Sequence, residues 1–298
     1  DGYSDIIAGT RLFDNGESDE GKAFVWYGSS SGLGPNGLPS NADWSGEGNQ
    51  ATAYFGYSVS AAGDVNGDGY SDVIVGANGY NTGSDRGSAY IYLGGASMNN
   101  TADVILTGVS DGDNFGYSVS SAGDVKGDGY SDVIAGAYGY NGATYQGRAY
   151  IYFGGATMNI GADVILTGVS AGDYFGISVS GAGDMNGDGF EDVIVGAEGY
   201  NTSQGRAYIY FGGTSMNSAA DVTLTGASTD DLFGRTVSSA GDVNGDVYSD
   251  VLVTAWGYSY YKGRVYNYFG GSTVNLSLIH ISEPTRLLSI SYAVFCLK

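Results

Sequence analysis

An all-β fold is what this sequence predicts, and three observations predict it. A nine-residue aspartate loop recurs at nearly constant spacing, short apolar segments stand between the copies, and Gly and Asn punctuate the rest. The four full loops open at Asp64, Asp124, Asp184 and Asp242, at spacings of 60, 60 and 58 residues. One unit reads Phe55-Gly56-Tyr57-Ser58-Val59-Ser60, the loop 64–72, Asp72-Val73-Ile74-Val75-Gly76-Ala77, then the segments 88–94 and 103–107. That makes four short strands per unit. In Ala89-Tyr90-Ile91-Tyr92-Leu93 tyrosines alternate with aliphatics, the two-residue period of a sheet whose faces differ. Val73-Ile74-Val75 is apolar on both faces, as suits a strand buried between neighbouring sheets. No segment carries sustained helical periodicity. Four-stranded antiparallel blades set radially, a β-propeller, answer all of this. A parallel β-helix is the alternative, but its repeats are far shorter than the 60 residues here.

Composition agrees and excludes several partners. The 298 residues include Gly 53, Pro 3 and Tyr 26, which suits turn-rich β structure. Net charge is −21, from 32 acids against 11 bases, so the basic patch that nucleic acid requires is missing. No apolar run reaches the roughly 18 residues of a membrane helix.

The loops carry the chemistry. Asp64, Asn66, Asp68 and Asp72 place carboxylate or amide oxygens at positions 1, 3, 5 and 9, with Gly69 at position 6. Asp184, Asn186, Asp188 and Asp192 repeat the set, as do Asp242, Asn244, Asp246 and Asp250. The remaining copy has Asp124, Asp128 and Asp132 but Lys126 at position 3. Asp1 and Asp5 match positions 5 and 9 of a further, incomplete copy. Position 7 (Tyr70, Tyr130, Phe190 and Tyr248) can add a backbone carbonyl. Hard oxygens crowded onto so short a loop repel one another unless a hard cation sits among them. Calcium, which takes six to eight oxygens in flexible geometry, fits better than magnesium, one ion per intact loop. An EF-hand is excluded, because its position-12 glutamate is replaced by Val75 inside an apolar run. The alternative is a set of Asp-Gly turns whose acids face water. Against it stand three copies with donors at all four positions.

The loops are not expected to be equal. Lys126 presents an ammonium where an oxygen belongs, so the loop 124–132 is expected to bind calcium weakly. Its ammonium either swings to solvent or pairs with Asp128 and replaces the metal. Val247 stands at position 6, where φ > 0 strains a β-branched residue by on the order of 1–2 kcal/mol.

Phe55-Gly56, the loop, and Gly76-Ala77 resemble the FG-GAP repeat of integrin α-subunit β-propellers and their bacterial relatives. Phe115-Gly116 with Gly136-Ala137, Phe175-Gly176 with Gly196-Ala197, and Phe233-Gly234 carry the same marks. The third letter departs, with Asn78, Tyr138 and Glu198 in place of proline, and Thr254-Ala255-Trp256 ends the last copy. The resemblance covers about 1–275. It implies a propeller, typically seven-bladed, with calcium loops joining the first and second strands of blades. Blades are expected at about 1–50 (partial), 51–110, 111–170, 171–228 and 229–275 (partial, without its closing strand), so the sequence reads as a fragment of four to five blades. The stretch 276–286 resembles a translated sequencing adaptor, and 276–298 is read as a non-native tail; the alternative is a genuine divergent C-terminal strand.

That tail holds the chain's single His and single Cys, at 280 and 296. Without them, no Ser-His-Asp, Cys-His or His-zinc site can be assembled. A pair of carboxylates is still able to hydrolyse a glycoside, but repetition explains most aspartates as loop residues. The chain is read as no enzyme.

In an up-and-down blade the 2–3 and 4–1 connections share the face opposite the calcium loops. There the differences between copies concentrate, and Tyr80, Tyr140, Tyr145, Tyr200, Trp256 and Tyr258 are the candidate ligand anchors, for protein or glycan. The alternative is that the repeated Gly-Tyr-Asn is a turn whose tyrosine packs on the next blade. Arg148, Arg206 and Arg264 are expected to neutralise acidic neighbours. The function expected is calcium-dependent adhesion or recognition outside the cell, where millimolar calcium suits loops binding at about 10⁻⁴–10⁻³ M. The alternative is an accessory, carbohydrate-binding module of a secreted hydrolase.

Overall fold

The computed structural model describes residues 3–32, 38–80 and 84–272 and the strand 278–281; Asp1 and most of 276–298 lie outside the described residues. Five antiparallel sheets follow one another along the chain. The first has three strands, β1 (Ile6–Thr10), β2 (Lys22–Trp26) and β3 (Trp44–Glu47). The second has β4 (Ser58–Gly63), β5 (Asp72–Ala77), β6 (Ser88–Tyr92) and β7 (Val104–Thr107). The third has β8 (Ser118–Gly123), β9 (Asp132–Ala137), β10 (Arg148–Tyr152) and β11 (Val164–Thr167). The fourth has β12 (Val179–Gly183), β13 (Asp192–Ala197), β14 (Arg206–Tyr210) and β15 (Val222–Thr225). The fifth has β16 (Phe233–Gly241), β17 (Asp250–Ala255), β18 (Arg264–Tyr268) and β19 (Leu278–Ile281). Each sheet is an up-and-down meander, and the whole is a partial β-propeller of four-stranded blades.

The cores lie between the blades. In the third blade Tyr150 and Tyr152 face back onto Ile74, Ile91 and Leu106 of the second, while Ile134 and Ile151 face forward onto Val193, Tyr208 and Tyr210 of the fourth. The alternation read in 89–93 is therefore a division of labour, with tyrosines toward one neighbour and aliphatics toward the other. The second strand of each complete blade is buried at every position, which explains why it reads as continuously apolar. Phe55, Phe115, Phe175 and Phe233 are all but completely buried, each ring 5.3–5.6 Å from the first strand-three tyrosine of its blade.

The blade-to-blade seam explains the Phe-Gly and Gly-Ala pairs. A Cβ built on Gly76 would lie 1.9 Å from the Gly116 carbonyl oxygen of the next blade, and one on Gly136 2.0 Å from that of Gly176. Neighbouring inner strands approach so closely that only hydrogen fits. Just before each full loop the pairing of strands one and two shifts register, at 61–63, 121–123, 181–183 and 239–241. These bulges bend the chain into the loop.

One expectation is corrected. The last unit was to lack its closing strand, yet β19 fills that place, pairing with β18 from Val265↔Ile281 to Tyr268↔Leu278. The outer edge of β18 offers a row of N–H and C=O groups, and backbone pairing accepts an extended segment whatever its side chains.

Candidate metal centres and the opposite face

Each full loop joins the first and second strands of its blade and folds around its first aspartate. Asp64 Oδ1 accepts the N–H groups of Gly67 and Asp68 at 2.7 and 3.1 Å, and Oδ2 accepts that of Gly69 at 2.8 Å. Asp124, Asp184 and Asp242 make the same three bonds. The third bond needs position 6 in the left-handed region, where Gly69, Gly129 and Gly189 have φ of 88–90° and Val247 is forced to 73°. The strain expected at Val247 is therefore present, on a side chain 87% exposed that packs against little.

The last aspartate ties the loop to its blade. Asp72 accepts the N–H of Val65 at 2.8 Å and that of Gly94 at 2.7 Å. Asp132, Asp192 and Asp250 repeat this pair, and all four are wholly buried. Burial, with neighbouring aspartates adding to it, raises the Asp72 carboxyl and pushes Asp132 and Asp192 up to about 7. A nearby cation would relieve that cost. Asp5 keeps half of the arrangement, accepting the Gly28 N–H at 2.8 Å.

At position 3 the loops divide. Asn66, Asn186 and Asn244 each donate from Nδ2 to the position-5 aspartate at 2.9 Å and accept that residue's own N–H through Oδ1. In the second full loop Lys126 Nζ takes the amide's place, 2.8 Å from Asp128 Oδ2. The ammonium holds the Asp128 carboxyl below the usual range and is itself raised by it.

Among the described residues no three Asp, Glu, His or Cys side chains converge on a shared ion position. The loops are closed on their own backbone amides. In 64–72, 184–192 and 242–250 the donor set still fits calcium: each carboxylate keeps free lone pairs, and the asparagine can turn its oxygen inward. In 124–132 it does not fit, because an ammonium has no lone pair to offer.

The face opposite the loops carries a concavity of about 380 Å³ lined by Arg11, Leu12, Tyr54, Tyr57, Asn78, Tyr117 and Tyr138. Tyr57 stands 4.6 Å from Tyr117, which stands 4.6 Å from Tyr138, and Arg11 lies 5.0 Å over the Tyr57 ring. Burial raises the Tyr57 and Tyr117 hydroxyls, which are hydrogen-bonded to one another. Further round, Arg235 pairs with Glu198 at 2.7 Å and covers Trp256 at 5.0 Å.

Sequence reasoning missed most of this lining. The available signal was variation beside invariance. The residue after Phe-Gly is Tyr57, Tyr117, Ile177 or Arg235, and the one after Gly-Ala is Asn78, Tyr138 or Glu198.

The six anchors named from sequence are divided by the structure. Tyr140, Tyr200 and Tyr258 lie 3.6 Å under the guanidinium groups of Arg148, Arg206 and Arg264, so their rings are engaged within their own blades. Those arginines, expected to serve acids, are in the first place stacked on tyrosine, although Arg148 and Arg206 also act on the buried Asp113 and Asp173. Tyr80 packs edge-on against Tyr90 at 5.9 Å. Tyr145, against Tyr174, and Trp256, against Tyr261, remain 43% and 50% exposed. Beside Trp256, Tyr260 is 97% exposed on a left-handed turn running through Ser259, Tyr260 and Tyr261.

Fold and loops together define a class, a repeat β-propeller with an aspartate loop between the first two strands of each blade. A family model described as FG-GAP repeat matches residues 55–92, 115–152 and 175–210. Integrin alpha-5 of Xenopus laevis is 34% identical over 218 residues, 68% of this chain and 20% of the relative. Integrin alpha-PS2 of Drosophila melanogaster is 32% identical over 223 residues, 68% and 15% respectively. Integrin alpha-V of Gallus gallus is 38% identical over 179 residues, 56% and 17%. The chain is an FG-GAP repeat protein of integrin-α-like type, and the match spans a fifth or less of those relatives' length. Among the described residues no helix is long and apolar enough to cross a membrane.

Proposed function

We propose that the chain is part of a calcium-stabilised extracellular propeller that serves adhesion or protein recognition and performs no catalysis. Calcium sits in the loops 64–72, 184–192 and 242–250, where it compensates the buried carboxylates of Asp72, Asp192 and Asp250. The propeller portion runs over 1–275, and 276–298 is foreign to it. The ligand is a protein surface bound on the face opposite the loops. The observation that carries this reading is the tyrosine-lined concavity on that face, which includes positions that differ between otherwise repeated units. Rigid aromatic side chains give large contact area at low entropic cost. Relatives named as integrin α subunits support the adhesion reading.

The test is an array of immobilised matrix proteins and glycans probed with the full chain, with and without calcium, beside the double variant Tyr117→Ala, Trp256→Ala. Calcium-dependent binding to protein spots, weakened at least tenfold in the variant, is expected. Binding confined to glycans would instead support a carbohydrate-binding module, and undiminished binding by the variant would remove the assigned face.

A further inference from the structure

We propose that the loop 124–132 takes no calcium, because the Lys126 ammonium fills the place that an ion fills in its sister loops, and that it is a metal-independent splint between two metal-dependent loops. This rests on the calcium reading of the sister loops.

The loops 64–72 and 124–132 differ at a single residue, Asn66 against Lys126. Their folds share the same bonds around the first and last aspartates, with one addition, the Lys126 backbone N–H donating to Asp132 Oδ2 at 3.3 Å. The difference is confined to position 3. Asn66 reaches Asp68 Oδ2 through Nδ2 at 2.9 Å, and Lys126 reaches the matching oxygen of Asp128 at 2.8 Å. An amide can rotate and hand its oxygen to an entering cation; an ammonium can only donate. The side chain is also held from outside the loop, with Nζ 5.4 Å over the Phe153 ring and in the field of Asp132 and Asp163. A divalent ion entering here would meet a resident positive charge and one oxygen fewer.

The position of this loop gives the substitution a consequence. Tyr130 lays its ring against Gly67 of the preceding loop, so close that a Cβ there would lie 2.6 Å from Cε1. The Ser131 N–H donates to the Asp64 carbonyl at 2.9 Å, and its hydroxyl accepts the Asp64 N–H at 3.2 Å. On the other side Phe190 covers Gly127 in the same manner, and the Glu191 N–H donates to the Asp124 carbonyl at 3.3 Å. The loops thus form a chain in which each is braced by the next. With Lys126 in place, the middle member stays closed when calcium is withdrawn and keeps both neighbours in register.

The test is calorimetric calcium titration of the full chain and of Lys126→Asn, whose loop then equals 64–72 in sequence. The variant is expected to bind one more equivalent of calcium. Equal stoichiometry, with calcium bound at the other loops, overturns the proposal. If neither protein binds calcium, the calcium reading itself has failed, and the splint is decided by hydrogen exchange in chelator. There the Gly127, Asp128 and Gly129 amides are expected to stay protected in the unmodified chain and to lose protection in Lys126→Met. Equal protection in both proteins overturns it.

Discussion

Val247 offers a direct measure of what the loop backbone demands. Its φ is 73°, in the region where a β-branched side chain crowds its own backbone, at a cost of on the order of 1–2 kcal/mol. Its side chain is 87% exposed, so Val247→Gly removes almost no packing. Its N–H, 2.9 Å from Asp242 Oδ2, is kept. Against the relieved strain stands the greater freedom of glycine in the unfolded chain, about 0.5–1 kcal/mol. The net expectation is a gain of about 0.5–1 kcal/mol, or roughly 1–3 °C in thermal midpoint for a chain of this size. The mirror experiment is Gly189→Val, at φ 88° with nothing within 4 Å of an added Cβ, which is expected to lose a similar amount. Both are read by thermal unfolding under circular dichroism, and locally by hydrogen exchange of the amides of 245–248. If Val247→Gly is neutral or destabilising while Gly189→Val costs the expected amount, conformational strain at position 6 is not what separates the loops.

Three further outcomes follow from the same geometry. Gly136→Ala forces a methyl to within 2.0 Å of the Gly176 oxygen, so the blades must part, and urea unfolding should show a loss of about 1–3 kcal/mol or more. Arg235→Ala strips the nearly buried Glu198 of its partner and uncovers Trp256; with the arginine 42% exposed, a loss of about 1–2 kcal/mol is expected in the same assay, partly restored by adding Glu198→Gln. Asp113 is wholly buried and its carboxyl raised, chiefly by burial. A raised acid contributes stability below its unfolded value of about 3.9 and loses it as pH climbs through the higher folded value. Over that window Asp113→Asn should therefore flatten the fall in thermal midpoint with rising pH, and an unchanged slope would mean that Asp113 is not strained by its burial.

Much of the architecture was legible in the residues. The spacing of Asp64, Asp124, Asp184 and Asp242 gave the unit, and the tyrosine–aliphatic alternation gave the two faces of each blade. The requirement for φ > 0 at position 6 follows from glycine recurring there, which is why Val247 stood out before its dihedral was known. The rest depended on distances between units. That Tyr140, Tyr200 and Tyr258 are held by arginines six or eight residues further on is a contact across a strand-to-strand connection, invisible to a two-residue period. The tyrosine concavity draws two or three residues from each of three successive units, so no single stretch announces it. β19 lies in a stretch where a strand was only the alternative reading, because edge pairing depends on an available backbone rather than on a side-chain pattern.

The central claim is that metal loops staple the blades, and it is tested most directly by thermal unfolding of the full chain with calcium titrated against a chelator. A ligand that binds only the folded state raises stability by RT ln(1 + [L]/Kd), about 2.7 kcal/mol per site at a hundredfold excess over Kd. The midpoint should climb steadily with calcium, and the climb should shrink when Asp68 and Asp188 are changed to alanine. A midpoint indifferent to calcium in a well-folded chain would mean that the aspartate loops are self-sufficient turns, closed by their own backbone amides alone.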